Sequence, residues 1–594
     1  MSFIKDKYAA CDDDRGVKMQ NREIASMLEE IGMMLSLDER PTARFEVRAY
    51  QKAALTVSTL QEPIEDIFNK GGNRALMELP GIGKGIAESI SEYLKTGTMS
   101  KYENLKKKYP SKFMELSRIE GLGPKKIQAL YSELGIKDIK GLAKAISKHE
   151  IAELPGFGEK SEEVIAKGLS MLEKSKGRIL LGEALPLAES LASQLMKSGL
   201  IDKVIIAGSI RRMRETSGDI DLLALSDHGE EIMDRFVKLP EVEEVVVKGQ
   251  TKTTVSLKAG VTCDLRVIPK SSFGAAVQYF TGSRDHNIQV RTIAIERGYK
   301  LNEYGLFGKN GKLIEAEDEK VIYSKLGMDW ISPEMRESRG EVKLAQEHKL
   351  PELVKISDIK GDLHTHTKET DGADTIDDMA AAAISIGREY IATTNHTKSL
   401  FIAKGMNDRQ FKEFFKTVDS LNERLDGSFT VLKGAEVDIL KDGSLDLEKE
   451  TLSSMDCVIA SVHQNLKMDR ESMTNRIVKA IDTGLVHILG HPTGRELLIR
   501  DPYLIDLESV FEAAERNLTA LEINAQPSRL DLNDTNIASA AQYKIMFSIG
   551  TDAHRTTHLE FMRYGVGTAR RGWLPKEQII NAMPLKALKR WLAK

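Results

Sequence analysis

Two constellations of residues in this sequence could do phosphate chemistry. In the first, Gly208-Ser209-Ile210-Arg211-Arg212 precedes Gly218-Asp219-Ile220-Asp221. On a strand, residues i and i+2 point the same way, so Asp219 and Asp221 present two carboxylates to one side. Such carboxylates repel unless cations lie between them, and Mg²⁺ shared with substrate phosphate oxygens is the expected partner. Gly208 and Ser209 offer a backbone N–H and a hydroxyl to one phosphate; Arg212 offers a charge-assisted fork to another. Asp264, in CDLRV, could reach the same metals from a neighbouring strand. A lone D-x-D is more often a solvated strand edge. The GS-x-R-R run before it and the third carboxylate after it point instead to a nucleotidyltransferase centre.

The second constellation is histidine-rich. Of 12 histidines, eight lie after residue 360. His364 and His366 stand at i and i+2 on one side of a strand end. Asp371 follows in TDGAD, then His396, Glu436, His463, His491, Asp552 and His554, nearly every one just after a short apolar β segment. In a barrel the C-terminal strand ends converge on one face, so residues this far apart in sequence can share a pocket. Nine N/O ligands exceed the need of one ion, and two or three Zn²⁺, Mn²⁺ or Fe²⁺ ions fit better. Such a cluster activates water and clamps a phosphate for hydrolysis. His149, His228, His348, His487 and His558 read as ordinary core or surface histidines.

The elements that must position these groups follow from periodicity. The first 175 or so residues read as helical, with Ile24, Met27, Leu28, Ile31 and Leu35 at amphipathic spacing. A repeat runs through them, ELPGIGKGIAESI, RIEGLGPKKIQAL and ELPGFGEKSEEVI, with Gly-x-Gly cores at Gly81/Gly83, Gly121/Gly123 and Gly156/Gly158. Glycines permit a tight hairpin, and the next helix then offers free N–H groups and its positive end to an anion, which suits a DNA phosphate. Segment 101–150 adds 12 Lys/Arg against 6 Asp/Glu, a basic bias that favours phosphate binding over a mere turn between helices. From about Arg178 a mixed α/β region runs to about residue 338, with TTVSLKAGVTCDLRVIP a hairpin turning near Ala259–Gly260. The polar stretch 339–357 reads as a linker. From residue 358 to 594, short β segments alternate with helical ones, the pattern of an α/β barrel or layered sheet.

Composition narrows the classes. The chain has 594 residues, enough for about four domains. Lys plus Arg is 85 against 89 Asp plus Glu, a net charge of −4 that excludes a strongly basic coat protein while leaving local phosphate binding open. Cys11, Cys263 and Cys457 form no C-x-x-C pair, so neither a disulfide framework nor a zinc knuckle is expected. No apolar run could span a membrane and the N-terminus lacks a secretory signal, so a cytoplasmic protein without membrane partners is expected.

GSIRRMRETSGDIDLL, CDLRVIP, YFTGS (Tyr279–Ser283) and NEY (Asn302–Tyr304) resemble the palm and thumb of a family X DNA polymerase, and the glycine repeats resemble its helix-hairpin-helix motifs. The resemblance covers about residues 20–338. It implies an N-terminal helical domain (20–103), a fingers-like domain (104–176), a palm (177–275) and a thumb (276–338). It implies that Asp219 and Asp221 bridge two Mg²⁺ ions and that Asp264 binds the catalytic one and assists deprotonation of the primer 3′-OH. Ser209, Arg212 and Gly218 would hold the dNTP phosphates, Tyr279 and Gly282 would crowd the sugar, and Asn287 and Arg291 would lie near base and template. Some relatives carry a lyase whose Schiff-base Lys falls here at Gly85; Lys84 is adjacent, and one residue turns a helix side chain by about 100°, so that lyase is not expected, with Lys52 the other amine. Thr262 replaces an Arg often found two residues before the third aspartate.

Residues 358–594 resemble a PHP (polymerase and histidinol phosphatase) domain, which implies a distorted (β/α)7 barrel with a trinuclear Mn²⁺ or Zn²⁺ centre. All nine ligand positions are filled. Asn395 stands where an Asp commonly precedes the motif histidine, and Arg495 and Arg529 are candidate phosphate contacts. Palm and barrel on one chain resemble the bacterial and archaeal PolX family. That implies a repair polymerase acting on gapped or nicked DNA, with a Mn²⁺-stimulated 3′→5′ exonuclease to which an abasic-site endonuclease or 3′-phosphodiesterase activity can be added; a monomer is expected. Two rivals remain: a hydrolytically inactive, structural barrel, and a small-molecule phosphatase or nucleotidyltransferase.

Overall fold

The computed structural model describes residues 13–593 apart from 37–42, 59, 61–62, 109–115, 117–118, 120–121, 123 and 176. It falls into two compact units, 1–176 and 177–594. No helix among the described residues is long and apolar enough to cross a membrane.

The first unit is helical because its apolar residues recur at helical spacing. Ile24, Leu28, Ile31 and Leu35 of α1 (Asp13–Ser36) pack with Tyr50, Ala53 and Val57 of α2 (Ala43–Ser58) in one buried cluster. α3 (Ile64–Met77) and α4 (Lys84–Thr96) join that core through Ile64, Ile86 and Ile90, and α5 (Ser100–Lys108) follows. A separate core gathers Ile127 and Leu130 of α6 (Pro124–Leu134), Leu142 of α7 (Ile139–Ser147) and Ile165 of α8 (Glu159–Ser175).

The second unit opens with helix α9 (Leu181–Met196) and a five-stranded sheet. Its strands are β1 (Lys203–Ile206), β2 (Asp219–Leu225), β3 (Val242–Lys248), β4 (Lys252–Leu257) and β5 (Thr262–Ile268), in the order β1-β2-β5-β4-β3. Only β2 and β5 are parallel. The β4–β5 turn falls where expected, with Gly260 at φ +79°. Helices α10 (Phe273–Thr281) and α11 (Arg284–Glu296) lead to a three-stranded sheet, β6 (Tyr299–Asn302), β7 (Gly305–Gly308) and β8 (Leu313–Glu315), and then to α12 (Glu319–Lys325).

Seven parallel strands then run in sequence order: β9 (Gly361–Thr365), β10 (Tyr390–Thr393), β11 (Thr430–Asp438), β12 (Cys457–Ser461), β13 (Ile488–Leu489), β14 (Ala520–Asn524) and β15 (Phe547–Gly550). They are near-continuous apolar runs because helices cover their outer face, as parallel sheets require. Bonds between the ends of β9 and β15, His366 N–H to Ala553 O at 2.8 Å and the Thr365–Ala553 bridge, bring the sheet nearly to closure as a barrel.

The polar stretch 339–357 packs one side into the fold, while about half of its residues face solvent. It contains α13 (Glu341–Gln346), whose Val342 and Ala345 enter the core around α11 and α12. Glu341 is fully buried, with its carboxylate 2.8 Å from His286 Nδ1 and accepting from the Ser338 and Arg339 N–H groups. Its charge has partners inside, so a charged composition does not mean a loose tether here.

Candidate active sites

The glycine hairpins repeat in geometry as well as in sequence. Ile82, Leu122 and Phe157 occupy matching places, and their N–H groups donate to Leu79, Ile119 and Leu154 O. Gly81 and Gly156 have φ of +84° and +85°, a conformation L side chains rarely adopt, and a Cβ on Gly81 would lie 2.6 Å from Lys52 Cγ. Gly83 precedes α4 with no side chain capping that helix and no acid in its first turn, which leaves its positive end to an anion. Gly158 precedes α8, whose first turn carries an exposed Glu159 and a buried Glu162 that accepts from the Ile151 and Ala152 N–H groups. Gly121 and Gly123 lie outside the described residues.

In the five-stranded sheet, register does what spacing alone could not. Asp221 on β2 pairs with Asp264 on β5, and Asp219 with Thr262, so three carboxylates meet at one sheet end. Burial, then Asp219 and Asp264, pushes the Asp221 carboxyl up to about 6. Gly208 sits over it at φ +59°, where a Cβ would lie 2.2 Å from Asp221 Oδ2. Asp264 accepts from Thr254 Oγ1 at 2.5 Å and lies 2.9 Å from Lys252 Nζ, both on β4.

A cleft of about 520 Å³ opens beside the aspartates, lined by Ser209, Arg212, Gly218, Asp219, Arg178 and Arg214 among others. Arg178 and Arg214 escaped the sequence reading. Arg178 precedes Asp219 by some 40 residues and no short motif marks it. Ser209 Oγ is 2.5 Å from Ser217 Oγ, which donates to Asp219 O. Arg212 lines the cleft while its Nε donates to Glu337 at 3.1 Å and its Nη1 to Thr281 O. Gly282 lies against it, an added Cβ falling 3.1 Å from Arg212 Nη1. Asn287 is buried, donating to Tyr279 O at 2.7 Å and accepting from Gln278, so its amide holds the α10–α11 junction; Arg291 Nε donates to Asn287 O.

At the C-terminal end of the barrel strands, all nine predicted groups meet. Glu436 is the hub: its two oxygens lie 2.9 Å from His491 Nε2, 3.2 Å from His463 Nε2, 3.1 Å from His396 Nδ1 and 3.3 Å from His364 Nε2. Asp371 Oδ2 is 3.3 Å from both His396 and His554 Nε2, and Asp552 Oδ1 is 3.1 Å from His366 Nε2. Three sets could each hold an ion: His366, Asp371, His396 and His554; His364, His366 and Asp552; His396, Glu436 and His463. Both His366 ring nitrogens, with His364 Nε2 and His396 Nδ1, are buried without a hydrogen bond, as nitrogens reserved for metal would be. Burial, then His554 and His396, holds His366 down to about 4, the neutral ligating form. Against the effect of burial, Glu436 and Asp438 carry His463 up to about 10, and Asp371 and Asp552 carry His554 up to about 9; the pocket favours positive charge, from protons or from metal.

A second ring escaped the sequence reading. Glu522 Oε1 is 2.6 Å from His364 Nδ1, and its other oxygen accepts the His491 N–H. Asp438 Oδ1 is 2.9 Å from His463 Nδ1. Each carboxylate aims a histidine at the centre. The signals were present: Asp438 is two residues from Glu436 on one strand, and Glu522 interrupts the apolar run ALEIN. Asn395 holds the Asp371 loop, accepting from Thr367 N–H and Thr370 Oγ1. Of the two candidate phosphate arginines, Arg529 lies 3.9 Å from Asp552. Arg495 is committed elsewhere, to Glu215 and Leu530 O. His487 is structural, accepting from Val458 N–H at 3.0 Å.

Family models match along the chain: "Helix-hairpin-helix domain" at residues 19–99, "SAM-like Helix-hairpin-helix tandem" at 113–170, "DNA polymerase beta thumb" at 276–337 and "PHP domain" at 362–526. The chain is 36% identical over 578 residues to the DNA polymerase/3′-5′ exonuclease PolX of Bacillus subtilis (strain 168), covering 97% of this chain and 99% of that protein. It is 24% identical to DNA polymerase lambda of Rattus norvegicus over 48% of this chain and 52% of the relative. A probable phosphatase of Tolumonas auensis is 29% identical over 38% of this chain and 89% of its own length. With likeness to a PolX running nearly end to end, and thumb, hairpin and barrel each matched in order, the chain belongs to the PolX family, family X DNA polymerases with a C-terminal PHP domain.

Proposed function

We propose that the protein fills short gaps in damaged DNA by two-metal nucleotidyl transfer and trims 3′ ends in its barrel. The observation that carries this reading is that one chain holds both the Asp219–Asp221–Asp264 cluster beside an arginine-lined cleft and the nine-group centre around Glu436. The names of the Bacillus PolX and the rat polymerase point the same way.

At the first site, Asp219 and Asp221 would hold two Mg²⁺ ions. Bound there, the ions would supply charge neutralisation for the triphosphate and acidity for the primer 3′-OH. Asp264, steadied by Thr254 and Lys252, would take up the 3′-OH proton. Gly208, Ser209, Gly218 and Arg212, with Arg178, would hold the triphosphate. Tyr279 and Gly282 would limit the sugar, and Asn287 would act through its grip on Tyr279. DNA backbone phosphates would sit at the Gly81–Gly83 hairpin first, because its helix end carries no acid.

At the second site, His364, His366, Asp371, His396, Glu436, His463, His491, Asp552 and His554 would hold up to three Mn²⁺ or Zn²⁺ ions, which supply an activated water. Arg529 would meet the substrate phosphate. Lyase chemistry is not part of the proposal, since Gly85 has no amine. The reading is tested with a 5′-labelled primer on gapped DNA in Mn²⁺, with and without dNTPs. Asp219→Ala should lose extension and keep shortening; His366→Ala should do the reverse. Shortening that survives in His366→Ala would reduce the barrel to a structural role.

A further inference from the structure

The loop that leaves the metal centre at His396 presents two apolar side chains to water. Phe401 is 87% exposed and Ile402 89%, the highest values among the large hydrophobic residues described. A loose loop could expose them by accident, but this one is braced. Its legs are joined by the Thr397–Met406 bridge and by Met406 N–H donating to His396 O at 2.8 Å. They touch so closely that a Cβ on Gly405 would lie 1.8 Å from Thr397 O. Ser399 Oγ donates to Asp438 Oδ2 at 2.8 Å, and Asp438 holds the ring of His463. Gln464 donates to Ser399 O, and Ala403, one residue past Ile402, is buried. The tip is therefore a fixed turn, rooted in two of the nine metal-centre groups, that turns Ala403 inward and Phe401 and Ile402 outward.

Its charge selects the occupant. Residues 396–412 carry Lys398, Lys404, Arg409 and Lys412 against the single acid Asp408, which pairs with Lys398 at 3.4 Å. Lys398 and Lys404 stand three residues either side of the exposed Phe401 in sequence, a combination that matches single-stranded nucleic acid: phosphates meet the cations and a base stacks on the ring. An acidic or purely apolar partner would not need the metal centre at the loop's root.

Resting on the hydrolytic reading of the barrel, we propose that the 397–406 loop is the substrate platform of the PHP centre, with Phe401 stacking on a base of a single-stranded 3′ end and Lys404 near its backbone. The platform would select DNA ends over small phosphate esters, which offer no base to stack.

The test uses the full chain and a single-stranded oligonucleotide carrying 2-aminopurine at its 3′ terminus, in Ca²⁺ to slow cleavage. Stacking on Phe401 quenches the fluorophore. Phe401→Ala should lose most of the quench and raise Kd about five- to 150-fold, the span of one base–aromatic stack. Phe401→Trp should keep both, and Ile402→Ala should fall between. Both positions face solvent, so thermal melting should be unchanged. Equal quench and Kd in wild type and Phe401→Ala would overturn the proposal. Shortening of the same oligonucleotide by wild type in Mn²⁺ reads the hydrolytic function separately; its absence refutes that function, while the quench still decides the loop.

Discussion

Asp221 offers a prediction whose sign runs against intuition: removing its charge should stabilise the metal-free protein. Burial, then Asp219 and Asp264, raises its carboxyl from the ordinary 3.8 to about 6. Between those two values the folded chain holds a proton that the unfolded chain has released, so stability falls as pH rises through the window and stays low above it. The loss comes to about 3 kcal/mol at pH 8 and about half of that at pH 5. Asp221→Asn keeps the shape without the charge and escapes the loss. In chelator, the variant should therefore melt above wild type at pH 8, by a margin that shrinks towards pH 5. Added Mg²⁺ should reverse the order, because wild type gains a ligand that the variant binds poorly. Scanning fluorimetry at pH 5 and pH 8, with chelator and with Mg²⁺, measures all four quantities. If the metal-free variant is no more stable at pH 8, or its advantage is the same at both pH values, burial and the two neighbouring carboxylates do not hold the Asp221 carboxyl up.

Three further outcomes follow from particular contacts. Gly208→Ala places a methyl 2.2 Å from Asp221 Oδ2 at a φ of +59°, so primer extension should fall at least 100-fold while 3′ trimming is kept. Arg571, on helix α14 (Met562–Arg571), is buried and joins the barrel to the palm; it donates to Arg212 O at 2.8 Å, to Glu337 at 2.9 Å and to Asp534. Arg571→Ala should cost roughly 2–4 kcal/mol in urea unfolding, since Glu337 keeps Arg212 and Asp534 keeps Arg339; it should also raise KM for dNTP more than it lowers kcat, by loosening Arg212. Glu522→Gln removes the carboxylate behind His364, and its Mn²⁺ affinity by competition titration should drop about 10- to 100-fold with polymerisation unchanged.

Much of this protein is legible in its residues alone, wherever the informative spacing is short. The i, i+2 carboxylates of Asp219 and Asp221, the paired histidines of His364 and His366, the helical period of Ile24 to Leu35 and the three glycine hairpins depend on local backbone geometry, which near neighbours in sequence dictate. The nine groups around Glu436 were also legible, because nearly all of them lie at or just past the C-terminal part of a short strand and parallel strands in a barrel bring such ends to one face. What tertiary structure decided lies between residues distant in the chain. Only the parallel register of β2 and β5 sets Asp264 beside Asp221, and only the β4 neighbour shows that Thr254 and Lys252 hold Asp264. The burial of Glu341 against His286, the diversion of Arg495 to Glu215 and the Arg212–Glu337–Arg571 chain are equally invisible to composition. A charged residue reads as solvent-facing until its partner is known, and that partner, 280 residues away for Arg495, is chosen by packing rather than by sequence neighbours.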